Sequence, residues 1–160
     1  MMTIMRIIVL SVILLLSQQR AADAQEPQKA PPANYDAALA SKLKADDMGM
    51  HKYVMAFLKR GPNRPSDPAE ARKLQEGHMA NINRMAKEGK LVLAGPFLDT
   101  GELRGIYIFN VATVAEAEAL TDSDPAIKAG SLVMELHPWY GSAAIQEITA
   151  IHEKIARKNP

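Results

Sequence analysis

The sequence predicts an α+β domain in which strands and helices follow one another in the order βαββαβ. Three observations lead there. Four short runs rich in aliphatic, aromatic and β-branched residues begin at His51, Leu91, Gly105 and Leu132. Two helical segments open with N-cap signatures at Asp67 and Thr113. No internal repeat appears beyond the echo of one βαβ unit by the next.

Ahead of that domain, Arg6 leads into ten apolar or small residues, Ile7 to Leu16, and Ala22-Asp23-Ala24 supplies a small-x-small cleavage site. This is a signal-peptide pattern, and cleavage is expected after Ala24, which would send the protein to a periplasmic or extracellular home. The alternative is a single-pass anchor, but the apolar run is well short of the roughly 20 residues a spanning helix needs. Cleavage leaves 136 residues, enough for one domain with a real core. Gln25 to Asn34, rich in Pro and Ala, reads as a tether, and Tyr35 to Asp47 as a short helix with Tyr35, Leu39 and Leu43 on one stripe.

The first strand, His51 to Gly61, sets Tyr53, Met55 and Phe57 on one face and Val54, Ala56 and Leu58 on the other. The long helix opens with Asp67, Pro68 and Glu70 and closes at Gly89. Leu91–Phe97 and Gly105–Val111 form a hairpin around Asp99 and Gly101. A second helix, Thr113 to Asp122, carries a capping box through Glu116. A turn at "SDPAIKAG" leads to the last strand, Leu132 to Trp139, and a third helix from Ser142 to about Arg157 aligns Ile145, Ile148, Ile151 and Ile155. The order matches the ferredoxin-like split βαβ arrangement. Strands apolar on both faces need cover on both. Two helices hide one face, so a homodimer with sheets face to face, or else the terminal helices, must hide the other.

Charge excludes several classes of partner. The 19 basic and 18 acidic residues fall to 17 of each once Arg6, Arg20 and Asp23 leave with the signal peptide, and the cations lie scattered among acids. Neither nucleic acid nor, after cleavage, a membrane is an expected partner. The absence of cysteine rules out disulfides, thiol chemistry and thiolate metal sites. His51, His137 and His152 lack histidine neighbours at helical spacing, so no metal or other cofactor is expected.

His78 is the residue of interest. It shares a helix face with Leu74, Ile82 and Met85, an apolar stripe that points at the sheet. A buried histidine with a carboxylate partner suits general-base work; without one it is a core residue bonded to a carbonyl. Asp124 is the carboxylate best placed by its turn, although Asp before Pro is equally an N-cap signature.

The run from Gly77 to Trp139 resembles the YciI-like, or YCII-related, proteins. The resemblance rests on His78 in its helix, "GKLVLAGPF" at Gly89–Phe97, "DPAIKAG" at Asp124–Gly130 and the closing Pro138-Trp139, with "YVMAFLK" before them. It implies a dimeric α/β barrel of ferredoxin-like subunits, with His78 and Asp124 as a dyad in a cleft. It further implies lyase or isomerase proton transfer on a small organic molecule without metal or nucleotide, His78 as base or acid and Asp124 as its orienter. By the same analogy Tyr53, Phe97 and Trp139 would line the pocket. A non-catalytic ligand-binding or stress-related dimer is the rival expectation. Relative to that family the chain adds an export signal, an N-terminal extension and the segment after Ser142.

Overall fold

The computed structural model describes residues 30–158. The expected signal peptide, its cleavage site and most of the tether lie outside them. The chain divides into two units, Met1–Tyr35 and Asp36–Pro160, and the elements below belong to the second. No helix among the described residues is long and apolar enough to cross a membrane.

Helix α1 (Ala37–Lys42) is capped by Asp36, whose carboxylate accepts the Leu39 N–H at 2.9 Å. Of the expected stripe, Leu43 is buried but Leu39 is exposed. Strand β1 (Met50–Arg60) pairs antiparallel with β3 (Leu103–Phe109) on one side and β4 (Leu132–Ser142) on the other. Helix α2 (Pro68–Lys87) starts as expected, with Asp67 accepting from the Ala69 and Glu70 N–H groups and Pro68 in the first turn. Strands β2 (Leu91–Pro96) and β3 (Leu103–Phe109) form the hairpin, β3 two residues earlier than its apolar run suggests. Helix α3 (Val114–Thr121) carries the full Thr113–Glu116 capping box. The single turn α4 (Pro125–Lys128) is capped by Asp124, and β4 (Leu132–Ser142) follows.

The sheet order is β2-β3-β1-β4 and every pairing is antiparallel, the split βαβ topology. Alternation along β1 divides the core in two. Val54, Ala56 and Leu58 pack with Tyr107, Phe109 and Met85 on the helix-covered face. Tyr53 packs with Val92 and Ile108 on the other, against Trp139 and Ile145.

Cover on that second face is partial. β4 runs on to Ser142, and the expected third helix begins as a 3₁₀ turn (Ala143–Glu147) that lays Ile145 over Tyr53 before α5 (Ile148–Ile155) starts. A 3₁₀ turn has three residues per turn rather than 3.6, so the isoleucine stripe loses phase across it. Ile151 and Ile155 consequently face solvent, 55% and 73% exposed. Beyond the reach of Ile145, Phe57 and Ile106 are only half-buried and Val133 is exposed.

Where β1 leaves the sheet, Gly61 passes so near the turn before β4 that an added Cβ would lie 2.1 Å from the Gly130 carbonyl oxygen. Backbone cannot yield as a side chain can. Gly61→Ala should therefore destabilise the fold by about 1–3 kcal/mol, read as a lower urea midpoint with an unchanged slope.

Candidate active site

Asp124 closes the turn between α3 and α4, and its two carboxylate oxygens do different work. Oδ1 accepts the Ala126 N–H at 2.8 Å, which is the N-cap bond, and fixes the side-chain torsion. Oδ2 is thereby aimed at α2, where it lies 2.7 Å from His78 Nδ1. Gly77 lets the two elements meet, since an added Cβ there would stand 2.9 Å from Pro125 Cγ. On its far side the imidazole faces β3, with Nε2 at 3.1 Å from the Tyr107 hydroxyl. Asn81, one turn along α2, donates its amide to Asp124 Oδ2 at 3.4 Å. Its orientation is set by Arg84 and Ser123, which both donate to Oδ1.

These contacts bear on where the protons lie. Burial favours the neutral Asp124 carboxyl, but the His78 hydrogen bond and charge, the Ala126 N–H and the Asn81 amide together outweigh it and hold the group below its ordinary 3.8. Asp124 is therefore an anion that only accepts, so Nδ1 carries the proton that lies between them. Burial, with the Asp124 charge adding, pushes the Tyr107 hydroxyl far above its ordinary 10. It stays neutral, able to give its proton to neutral Nε2 or to accept one from the imidazolium.

Both rings border a cavity of about 370 Å³ whose apolar walls include Leu58, Leu74, Ile82 and Leu132. His78 is 7% exposed and Tyr107 2%, so they form its floor. Among the described residues no cluster of three His, Asp or Glu side chains could hold a metal ion.

Residues 53–140, more than half of the chain, match the family model of the YCII-related domain. The chain belongs to the YCII-related family. Among solved structures, the 5-chloro-2-hydroxyhydroquinone dehydrochlorinase of Burkholderia phenoliruptrix AC1100, in complex with 2,5-dihydroxybenzoquinone, is similar over 54% of this chain and 92% of its own. Identity over that span is 18% and the TM-score 0.42. No curated protein matches the chain.

The YCII-related match encloses His78, Tyr107 and Asp124, and leaves α1, the 3₁₀ turn and α5 outside. The expected pocket residues fare differently from the pair. Tyr53 and Trp139 do not line this cavity, because both lie on the far face of the sheet, with ring centroids 5.7 Å apart. The Tyr53 hydroxyl donates to the Ser142 carbonyl at 3.1 Å, and the Trp139 ring lies over Gly141. Phe97 follows β2 on the surface, outside the cavity lining. Tyr107 and Asn81 occupy the positions that sequence reasoning missed. Asn81 carried a signal, as a second polar residue three positions after His78 on the stripe that faces the core.

The depressed Asp124 carboxyl ties stability to pH. A carboxyl whose folded value lies below its unfolded one contributes fully above the unfolded value and loses that contribution as pH falls through the folded one. Asp124→Asn should cost about 1–3 kcal/mol near neutrality, a gap that narrows as pH drops from about 5 through 3.8 and below. Urea midpoints of both proteins across that range measure it.

Proposed function

We propose that this YCII-related protein is an exported, cofactor-independent enzyme of the lyase or isomerase type that moves a proton on a small organic molecule in the α2 cleft. The observation that carries the reading is the 2.7 Å contact between His78 and Asp124 at the floor of an open cavity. It meets the geometric requirement for a base held by its orienter. The rival, a non-catalytic binding dimer, draws on the Tyr107 hydroxyl that already occupies Nε2.

The same contact suggests a route for the proton. A substrate C–H that meets the Tyr107 oxygen gives its proton to that oxygen as Tyr107 passes its own to Nε2. Asp124 stabilises the resulting imidazolium through Nδ1–H without taking the proton. Reversal of the relay returns a proton at another position of the substrate, an isomerisation. Departure of an anionic leaving group from the carbanion instead completes an elimination. In this reading His78 is the base and then the acid, Tyr107 the relay and Asp124 the positioning group.

The sheet face left half-covered around Phe57, Ile106 and Val133 supports a homodimer joined there, and the segment from Arg6 to Ala24 supports export.

Deuterium uptake into small lactones and chlorinated hydroxyquinols, followed by NMR in D₂O, tests the chemistry directly. His78→Ala should slow enzyme-dependent exchange by about 10²–10⁴-fold while the circular-dichroism melt remains cooperative. Exchange that persists in the variant would reject the dyad. Sedimentation velocity of the mature chain at micromolar concentration should give a dimer; a single monomer species would assign the second face to the 3₁₀ turn and α5 alone.

A further inference from the structure

Resting on the reading of the α2 cleft as a small-molecule site, we infer that it selects small cyclic organic anions, with the oxyanion held by Arg64 and Arg104 and the ring directed at Tyr107 and His78.

Two arginines reach this cavity from separate parts of the chain, Arg64 from the loop between β1 and α2 and Arg104 from the start of β3. Among the described residues no aspartate or glutamate lines it. Asp124, the nearest buried acid, is behind His78 and already holds three donors. Two other arginines have carboxylate neighbours, Arg84 at 2.9 Å from Glu88 and Arg60 at 3.9 Å from Glu102, whereas Arg72 and Arg157, outside the cavity, have none among the described residues. Among the described residues neither Arg64 nor Arg104 has such a partner. Arg104 spends one terminal nitrogen on the Asp99 and Gly101 carbonyls, which anchors its guanidinium at the cavity edge and leaves its other N–H groups for a ligand.

The rest of the cavity limits what else can enter. Its walls are mostly apolar, and about 370 Å³ lies near the small end of ligand sites, room for one substituted ring. Exposure runs from Arg64 at the surface, through half-buried Arg104, to the buried His78 and Tyr107. An anion caught at the mouth therefore points its ring inward. A planar guanidinium fork matches a carboxylate or an ionised phenol with neighbouring oxygens. Proton removal from such a ring deepens its negative charge, and fixed cations beside it stabilise that charge.

Calorimetric titration of the mature chain with benzoate and with benzamide, its neutral isostere, tests the inference at about neutral pH. Benzoate should bind at least about tenfold more tightly, and Arg64→Gln should remove about tenfold from benzoate affinity while leaving benzamide unchanged. Arg64→Lys should restore part of the loss. Arg64 is exposed and makes no hydrogen bond among the described residues, so its variants keep the fold; Arg104→Lys provides the second position without freeing the Asp99 turn. Equal affinity for the two probes, an unchanged benzoate affinity in Arg64→Gln, or no binding of either up to roughly 10 mM would overturn it. His78→Gln separates the two readings. Charge-selective binding with turnover that survives His78→Gln sinks only the catalytic proposal, whereas His78-dependent turnover of neutral rings as readily as anionic ones sinks only this inference.

Discussion

A carboxylate with no solvent exposure lies at the junction of α2, α4 and β3, and much of the geometry follows from the need to satisfy it. An isolated ion at the position of Asp124 would cost several kcal/mol. It is tolerated because its own turn supplies one donor and α2 supplies two, His78 and Asn81. The α2 pair can arrive only if the helix approaches the Asp-Pro turn closely, and Gly77 against Pro125 is the place where that approach is made. Tyr107 then meets the other side of the imidazole from the sheet. One buried charge thus fixes where α2 lies along β3 and which ring nitrogen carries a proton, two features that a proton-transfer site also requires.

The sheet's two faces are built to different ends. On the helix side, a continuous core from Val54 to Phe109 closes around the site and leaves a cavity toward the β1–α2 loop. On the other side a smaller cluster centred on Tyr53 is roofed by Ile145 and bordered by Trp139. There Lys59 pairs with Glu135 across β1 and β4, His137 lies within hydrogen-bond distance of the same carboxylate, and Phe57 is edge-on to the His137 ring. A face that mixes an ion pair with half-buried aromatics tolerates water.

Features that depend on a few consecutive residues were legible in the sequence. Asp67, Thr113 and Asp124 cap the helices they were expected to cap, because a side-chain oxygen two or three residues from a free N–H has little else to reach. The pairing of His78 with Asp124 spans 46 residues and no spacing rule connects them; family resemblance marked both, and the contact itself required the fold. Tyr107 had no signal at all, since a tyrosine in "GIYIF" is an ordinary strand residue until a histidine is found above it.

The sequence by itself determined the order βαββαβ, the caps, the two-faced apolar character of β1 and the polar break in the α2 stripe, since each is written in local spacing. Tertiary structure alone decided which face of β1 the helices would cover, and so removed Tyr53 and Trp139 from the cleft where the family analogy had put them. It also decided that Ile151 and Ile155 would meet solvent and that Arg64 and Arg104 would share a cavity with His78. The physical reason is common to all of these. Alternation says that two residues point apart, but only the packing of one layer on another says what either of them meets.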